Sequence, residues 1–231
     1  MAKDFDSEYV VAGYDEHIRK LIPAYEQVHA QLLALMQAHL PVQARVLIIG
    51  AGTGYELGCL MQAFPQAQFT VTELSQTMLT AAEARVKPWN DGTRVQFILG
   101  SHTQLPQLSG LFDAVLSILV THFVPFAEKQ LFFNSALTCL KQDGLFVTYD
   151  LMQRQSMLET MALQKRVQQQ GLSEQQSQKM LERLEDDFYA LDAHTTVQML
   201  KQAGFDEVSA FMQVLCYQGF CAKRPEADEK G

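Results

Sequence analysis

From residue 45 to 149 the chain alternates short apolar runs with stretches of helical periodicity. The runs are 46–49, 69–72, 95–99, 114–118 and 145–149, rich in Val, Ile, Leu and Phe. Nearly unbroken apolar runs of this length are what strands covered on both faces look like. Between most of them lie helical stretches at 55–64, 76–86 and 126–140. Strands alternating with crossover helices predict a parallel sheet. The connection 100–112 is short, and no full helix is expected there.

The flanks extend this picture. Pro23 suits a first helical turn, and Tyr25, Val28, Leu32, Leu35 or Met36, and His39 then recur at three- and four-residue steps until Pro41 ends the pattern. After Asp150 a polar helical segment runs to about Leu191 and is broken at Gly171. Ser173 with Gln176 predicts a capping box restarting a helix that sets Met180, Leu181, Leu184, Phe188 and Leu191 on one face. Thr195 with Gln198 predicts a second capping box, and Gly204 ends that helix as a C′ glycine. Two strand-like runs, 205–212 and 215–222, are too close together for a crossover and predict an antiparallel hairpin. The expectation is therefore an α/β fold: a doubly wound, Rossmann-like, seven-stranded sheet with a C-terminal antiparallel hairpin. Helices over 1–43 would cap a domain spanning 44–223, with a helical insertion at about 152–191 and a polar tail at 224–231.

Composition narrows the function. The 231 residues are 48% hydrophobic and 19% charged, ordinary values for one globular α/β domain. The net charge of −8 argues against a broad grip on nucleic-acid backbone, leaving a tRNA base as the one nucleic-acid acceptor considered. The N-terminal MAKDFDSEYV has no apolar core of a signal peptide, and no run is long enough to span a bilayer. A cytoplasmic location without membrane partners is expected. The four cysteines show no CxxC spacing and the six histidines no HxxH spacing, so no metal is expected.

The chemistry starts at the end of the first run, where Val46-Leu-Ile-Ile leads into Gly50-Ala51-Gly52-Thr53-Gly54 and a helix. Glycines at a strand–helix turn let backbone approach a ligand closely and expose the unpaired N–H groups of the helix start. A dinucleotide site wants its last glycine at the sixth position of the turn; here that position is Tyr55, and the third glycine comes one residue early, at Gly54. Glu73, closing the second run, is placed to accept hydrogen bonds from both hydroxyls of a ribose. Leu74 would pack on an adenine, backed by Met78. Ligands of open α/β sheets lie at the carboxyl ends of the strands, which puts Ser101 or His102 near the adenine edge. The stretch Ser117–His122 falls where a reacting centre would lie, with Ser117 counted among the cofactor contacts.

Five segments together resemble the class I S-adenosylmethionine (SAM)-dependent methyltransferases in order and spacing: Val46-Leu-Ile-Ile-Gly-Ala-Gly-Thr-Gly, Thr72-Glu-Leu-Ser-Gln-Thr-Met-Leu, Phe112-Asp-Ala-Val-Leu-Ser, Leu140-Lys-Gln-Asp-Gly-Leu-Phe-Val and Ala203-Gly-Phe. Two flanking regions, around Tyr14-Asp-Glu-His-Ile-Arg-Lys and Met180-Leu-Glu-Arg-Leu, are similar to the carboxy-SAM synthase branch, which modifies SAM for tRNA wobble-uridine chemistry. The chain departs from the family pattern at Ile48, where an acid is usual, and at Ser101, where many members have Asp.

The resemblance implies SAM as cofactor, methyl transfer to a small-molecule acceptor and release of S-adenosylhomocysteine (SAH). It leaves a carboxy-SAM synthase-like activity, or a non-catalytic SAM-binding module, as alternatives. A general base is needed only for a protonated acceptor. His122 is the first candidate, followed by Tyr14, His17 and Tyr25 if the N-terminal helices fold over the site. Tyr25 also counts as a cofactor contact. The segment after residue 152 is expected either to cap the site and select substrate or to form a homodimer face.

Overall fold

The computed structural model describes residues 5–101, 105 and 107–226. Three N-terminal helices, α1 (Glu8–Ala12), α2 (Tyr14–Leu21) and α3 (Tyr25–His39), precede the sheet. There follow β1 (Arg45–Ile49), α4 (Tyr55–Ala63), β2 (Gln68–Glu73), α5 (Gln76–Val86), β3 (Val95–Leu99) and β4 (Phe112–Ile118). Then come α6 (Lys129–Cys139), β5 (Leu140–Leu151), α7 (Met157–Gln169), α8 (Glu174–Asp186), α9 (Ala193–Ala203), β6 (Asp206–Val214) and β7 (Tyr217–Lys223). The described residues between β3 and β4 hold no α-helix.

One seven-stranded sheet results, in the order β3-β2-β1-β4-β5-β7-β6. The first five strands are parallel, while β7 runs antiparallel to both β5 and β6. The order reverses at β1, so the ends of β1 and β4 flank the switch point where open α/β sheets bind ligands.

Strand alternation divides the interior into two cores. Val46, Ile48, Leu116 and Val147 pack with α3, α4 and α5 on one face, whereas Leu47, Ile49, Val115 and Phe146 pack with α6 and α9 on the other. Burial on both faces explains why the central runs lack polar alternation.

Helix starts follow local chemistry. Ser75 caps α5 by accepting from Met78 N–H, and Ser173 with Gln176 forms the expected capping box on α8. Gly171, at φ +105°, separates α7 from α8. The expected capping box at Thr195 is corrected. Asp192 is the N-cap of α9, its carboxylate accepting from Thr195 N–H at 2.9 Å and Thr195 Oγ1–H at 2.6 Å. A carboxylate upstream offers two acceptors, so Thr195 becomes a donor inside the first turn. Among the described residues no helix is long and apolar enough to cross a membrane.

Candidate active site

The glycine turn owes its shape to two crowded positions and one open one. Gly50 has φ +74°, and a Cβ there would come within 2.5 Å of Val120 Cγ2. Gly54 has φ +78°, and its Cβ would lie 2.9 Å from the Ala82 backbone of α5. Gly52, at φ +52°, would meet nothing within 4 Å. The turn is thus pressed against α5 and the β4 loop while its middle opens into a cavity. Thr72 O fastens it, accepting from Gly50 N–H at 2.8 Å and Ala51 N–H at 3.0 Å.

That cavity, about 630 Å³, is lined by Gly50, Ala51, Gly52, Glu73, Leu74, Met78, Ser101, Tyr14 and Tyr25 from the expected set. Gly54 and Ser117 do not line it. Gly54 sits behind the turn against α5, and Ser117 is fully buried in β4 with an Oγ that has no hydrogen-bond partner among the described residues. His102 lies outside the described residues.

Glu73 joins the turn to the next helix. Its Oε2 accepts from Gly52 N–H at 2.8 Å, and its Oε1 accepts from Leu74 N–H at 2.8 Å and Ser75 N–H at 3.1 Å. A carboxylate has about four acceptor positions, so three amides leave capacity for a ligand hydroxyl. Leu74 beside it is 73% exposed, an apolar side chain without a protein partner large enough to cover it. Open space above Gly52, spare acceptor capacity on Glu73 and a bare Leu74 fit the amino-acid, ribose and adenine parts of SAM respectively.

The N-terminal segment covers this cavity through polar ties. Thr53 Oγ1 donates to Asp15 Oδ1 at 2.6 Å, and Arg85 pairs with the same carboxylate while donating to Thr53 O at 2.7 Å. Ser75 Oγ donates to Phe5 O at 2.7 Å and Thr77 Oγ1 to Asp6 O at 2.9 Å. These bonds fix α2 and its leading strand of chain over the turn, which places Tyr14 at the cavity. Burial, together with the negative charges of Glu56, Glu73 and Asp15, pushes the Tyr14 phenol well above its usual range. The phenol therefore stays protonated and is able to donate a hydrogen bond there. Burial and the Glu56 charge raise Tyr25 likewise.

Glu56 is a site residue that sequence reading missed. It lines the cavity from the first turn of α4, where an acid complements the helix dipole. Its Oε1 is 2.8 Å from His29 Nε2, while His29 Nδ1 is 2.8 Å from Tyr25 O. Both partners can only accept, so both ring nitrogens donate. Burial is the largest influence and opposes the imidazolium, but the charge and hydrogen bond of Glu56 outweigh it, and the His29 pKa is raised. Ile48, by contrast, is a buried core residue, while Glu56, on the other side of the turn, places a carboxylate in the cavity wall.

A second cavity of about 410 Å³ abuts the first, and Phe5, Tyr14, Leu119, Phe123, Arg183 and Phe188 line both. His122 and His17 line the second cavity. Leu119 sits at φ +60°, a left-handed conformation that a branched side chain adopts only when its surroundings enforce it. Its N–H donates to Tyr149 O at 2.7 Å, which turns the chain abruptly after β4 and delivers His122 to the cavity.

His122 is 7% exposed, and its Nδ1 lies 2.9 Å from Asp150 Oδ1. Asp150 is fully buried at the end of β5 and also accepts from Thr148 Oγ1 at 2.6 Å. The carboxylate can only accept, so a neutral imidazole carries its proton on Nδ1 and its lone pair on Nε2. No described residue occupies Nε2. Phe188, 5.1 Å away between ring centroids, packs edge-on against the imidazole. Below the pair, Lys129 is 2% exposed and donates to Thr121 O at 2.6 Å. Burial, partly offset by Asp150, brings its pKa down to about 8. Among the described residues no group of His, Cys, Asp and Glu could hold a metal ion.

Fold, glycine turn and paired cavities fit a SAM-binding α/β enzyme. Residues 46–144 match the family model described as a methyltransferase domain. A carboxy-S-adenosyl-L-methionine synthase of Nautilia profundicola is 24% identical, the match covering 89% of this chain and 87% of that protein. A malonyl-[acyl-carrier protein] O-methyltransferase of Neorickettsia risticii is 30% identical over 52% of this chain, which spans 47% of that relative. The SAM-dependent methyltransferase SibL in its apo form shares the fold, with a TM-score of 0.64 at 15% identity over 88% of this chain and 56% of that one. Over this domain the chain is similar to the class I SAM-dependent methyltransferases, and that similarity supports SAM as its cofactor.

Proposed function

We propose that the enzyme transfers the SAM methyl group to a protonated oxygen or nitrogen of a small-molecule acceptor held in the second cavity. The observation that carries this reading is His122, set by Asp150 with Nε2 free at a cavity that abuts the cofactor cavity. SAM, when bound, supplies a methyl group already activated by the positive charge on sulfur. Gly52 and Glu73 hold and orient the cofactor, and Leu74 covers its base. Phe123 and Phe188 narrow the junction of the cavities and exclude water. His122 Nε2 takes the acceptor's proton, and the Asp150 carboxylate stabilises the resulting imidazolium. Tyr14, kept protonated, donates a hydrogen bond at the same junction.

One observation favours a second reading. Three carboxy-SAM synthase relatives match along most of their length, among them the Wolinella succinogenes protein at 96% and 26% identity. Such an activity would take a carboxyl group from a second, carboxylate-bearing substrate supplied in the assay and leave a carboxyl-bearing sulfonium as product. Mass analysis of the SAM-derived product separates the two. Methyl transfer predicts SAH in amounts equal to the methylated acceptor, while carboxy-SAM in place of SAH would sink the proposal.

A further inference from the structure

The two abutting cavities carry opposite charge. Among the described residues, the first is lined by Asp6, Glu56, Glu73, Glu128 and Asp187 against the one cation Arg183. The second, among the described residues, is lined by no Asp or Glu at all. Its ionisable lining, apart from tyrosines, is wholly basic in type: His17 and Lys20 of α2, His122, and Lys179 and Arg183 of α8. This occurs in a chain of net charge −8, so it does not reflect overall composition.

Helix geometry explains the arrangement. His17 and Lys20 are three residues apart and Lys179 and Arg183 four, so each pair forms a ridge on one helix face. Lys20 pairs with Glu16, and Arg183 Nε donates to Asp187 Oδ2 at 2.8 Å, so two of the cations already have counter-charges. Lys179 has no ion-pair partner among the described residues. Beneath these ridges the cavity is apolar, with Ile18, Leu21, Leu151, Leu172, Met180 and Leu184 in its wall. An apolar chamber of this size with a few convergent charges is built for a small molecule.

We infer that the acceptor is a small anion with an apolar body, its carboxylate or phosphate held by Lys179 and its nucleophilic atom directed to His122. This rests on the proposed methyl transfer for the role of His122, but the charge selectivity itself follows from the cavity. An acidic chamber for a cationic donor beside a basic chamber for an anionic acceptor also disfavours binding either molecule in the wrong place.

Calorimetric titration of the SAH-loaded enzyme with three probes tests this: 4-hydroxybenzoate, phenyl phosphate and the uncharged 4-hydroxybenzamide. At least one anion should bind about tenfold or more tightly than the amide, as a charge-assisted contact requires. Whichever anion binds better tells a carboxylate from a phosphate site. Lys179→Ala should weaken that binding about tenfold, Lys179→Arg should restore most of it, and Lys165→Ala on the exposed face of α7 should leave it unchanged. An amide bound as well as the anions, no anion binding, or an ineffective Lys179→Ala overturns the inference. Any of these with SAH production intact leaves the methyl-transfer reading standing. Anion binding with the predicted Lys179 dependence, but no SAH formed with any acceptor, would strike that reading and not the anion site.

Discussion

Replacing His122 with glutamine should lower kcat for methyl transfer by about 10²–10⁴-fold, the usual worth of a positioned general base. Glutamine keeps the length and a hydrogen-bonding end, so the apolar setting provided by Phe123 and Phe188 is disturbed little. What it lacks is a basic nitrogen. SAH affinity should stay near that of the parent enzyme, because His122 lines the second cavity and not the cofactor cavity. Asp150→Asn should share the defect for a different reason. An amide in place of the carboxylate can donate to Nδ1, which moves the imidazole proton to Nε2 and removes the free lone pair. Steady-state kinetics alongside SAH titration measures both. A His122→Gln enzyme within about threefold of the parent rate would remove the general base from the mechanism.

The second large effect lies behind the glycine turn. Gly54→Ala forces a Cβ to 2.9 Å from the Ala82 backbone at φ +78°. The left-handed conformation costs about 1–2 kcal/mol and the overpacking about 1–3, for a loss of roughly 2–5 kcal/mol. For a chain of this size that lowers Tm by about 4–20 °C, readable by calorimetry. Gly52→Ala is the informative contrast. Its added methyl meets no protein atom within 4 Å, so only the backbone strain of about 1–2 kcal/mol falls on stability. The methyl instead projects where the cofactor would lie, and SAH affinity should fall more than stability does. Equal stability losses in the two variants would show that the tight approach of the turn to α5 is not what fixes its shape.

Much of this was legible in the sequence because it rests on local rules. Two-sided burial makes strands such as 46–49 continuous, and glycines at 50, 52 and 54 can only mean a tight turn. Gly171 and the Ser173–Gln176 capping box divide the late helices where expected. The proposed base and its partner were half legible. His122 could be placed after the fourth strand, but Asp150 becomes its partner only through strand register. Ser117 pairs with Thr148 and Ile118 with Tyr149, so the ends of β4 and β5 meet there. Glu56 was hidden by a different cause: nothing local announces that an acid in the first turn of α4 faces the cavity and pairs with His29. The charge division between the cavities was not legible at all, since it depends on α2 and α8, some 160 residues apart in the chain, lining the same cavity.

The central claim is that the cavity over the glycine turn holds SAM, with Glu73 gripping both the turn and the cofactor ribose. Calorimetric titration of SAH into the parent enzyme and into Glu73→Ala tests it most directly. One-to-one binding should weaken by about tenfold to a hundredfold in the variant, the worth of hydrogen bonds to a charged group. No binding to the parent chain, or the same affinity in both, would contradict the account.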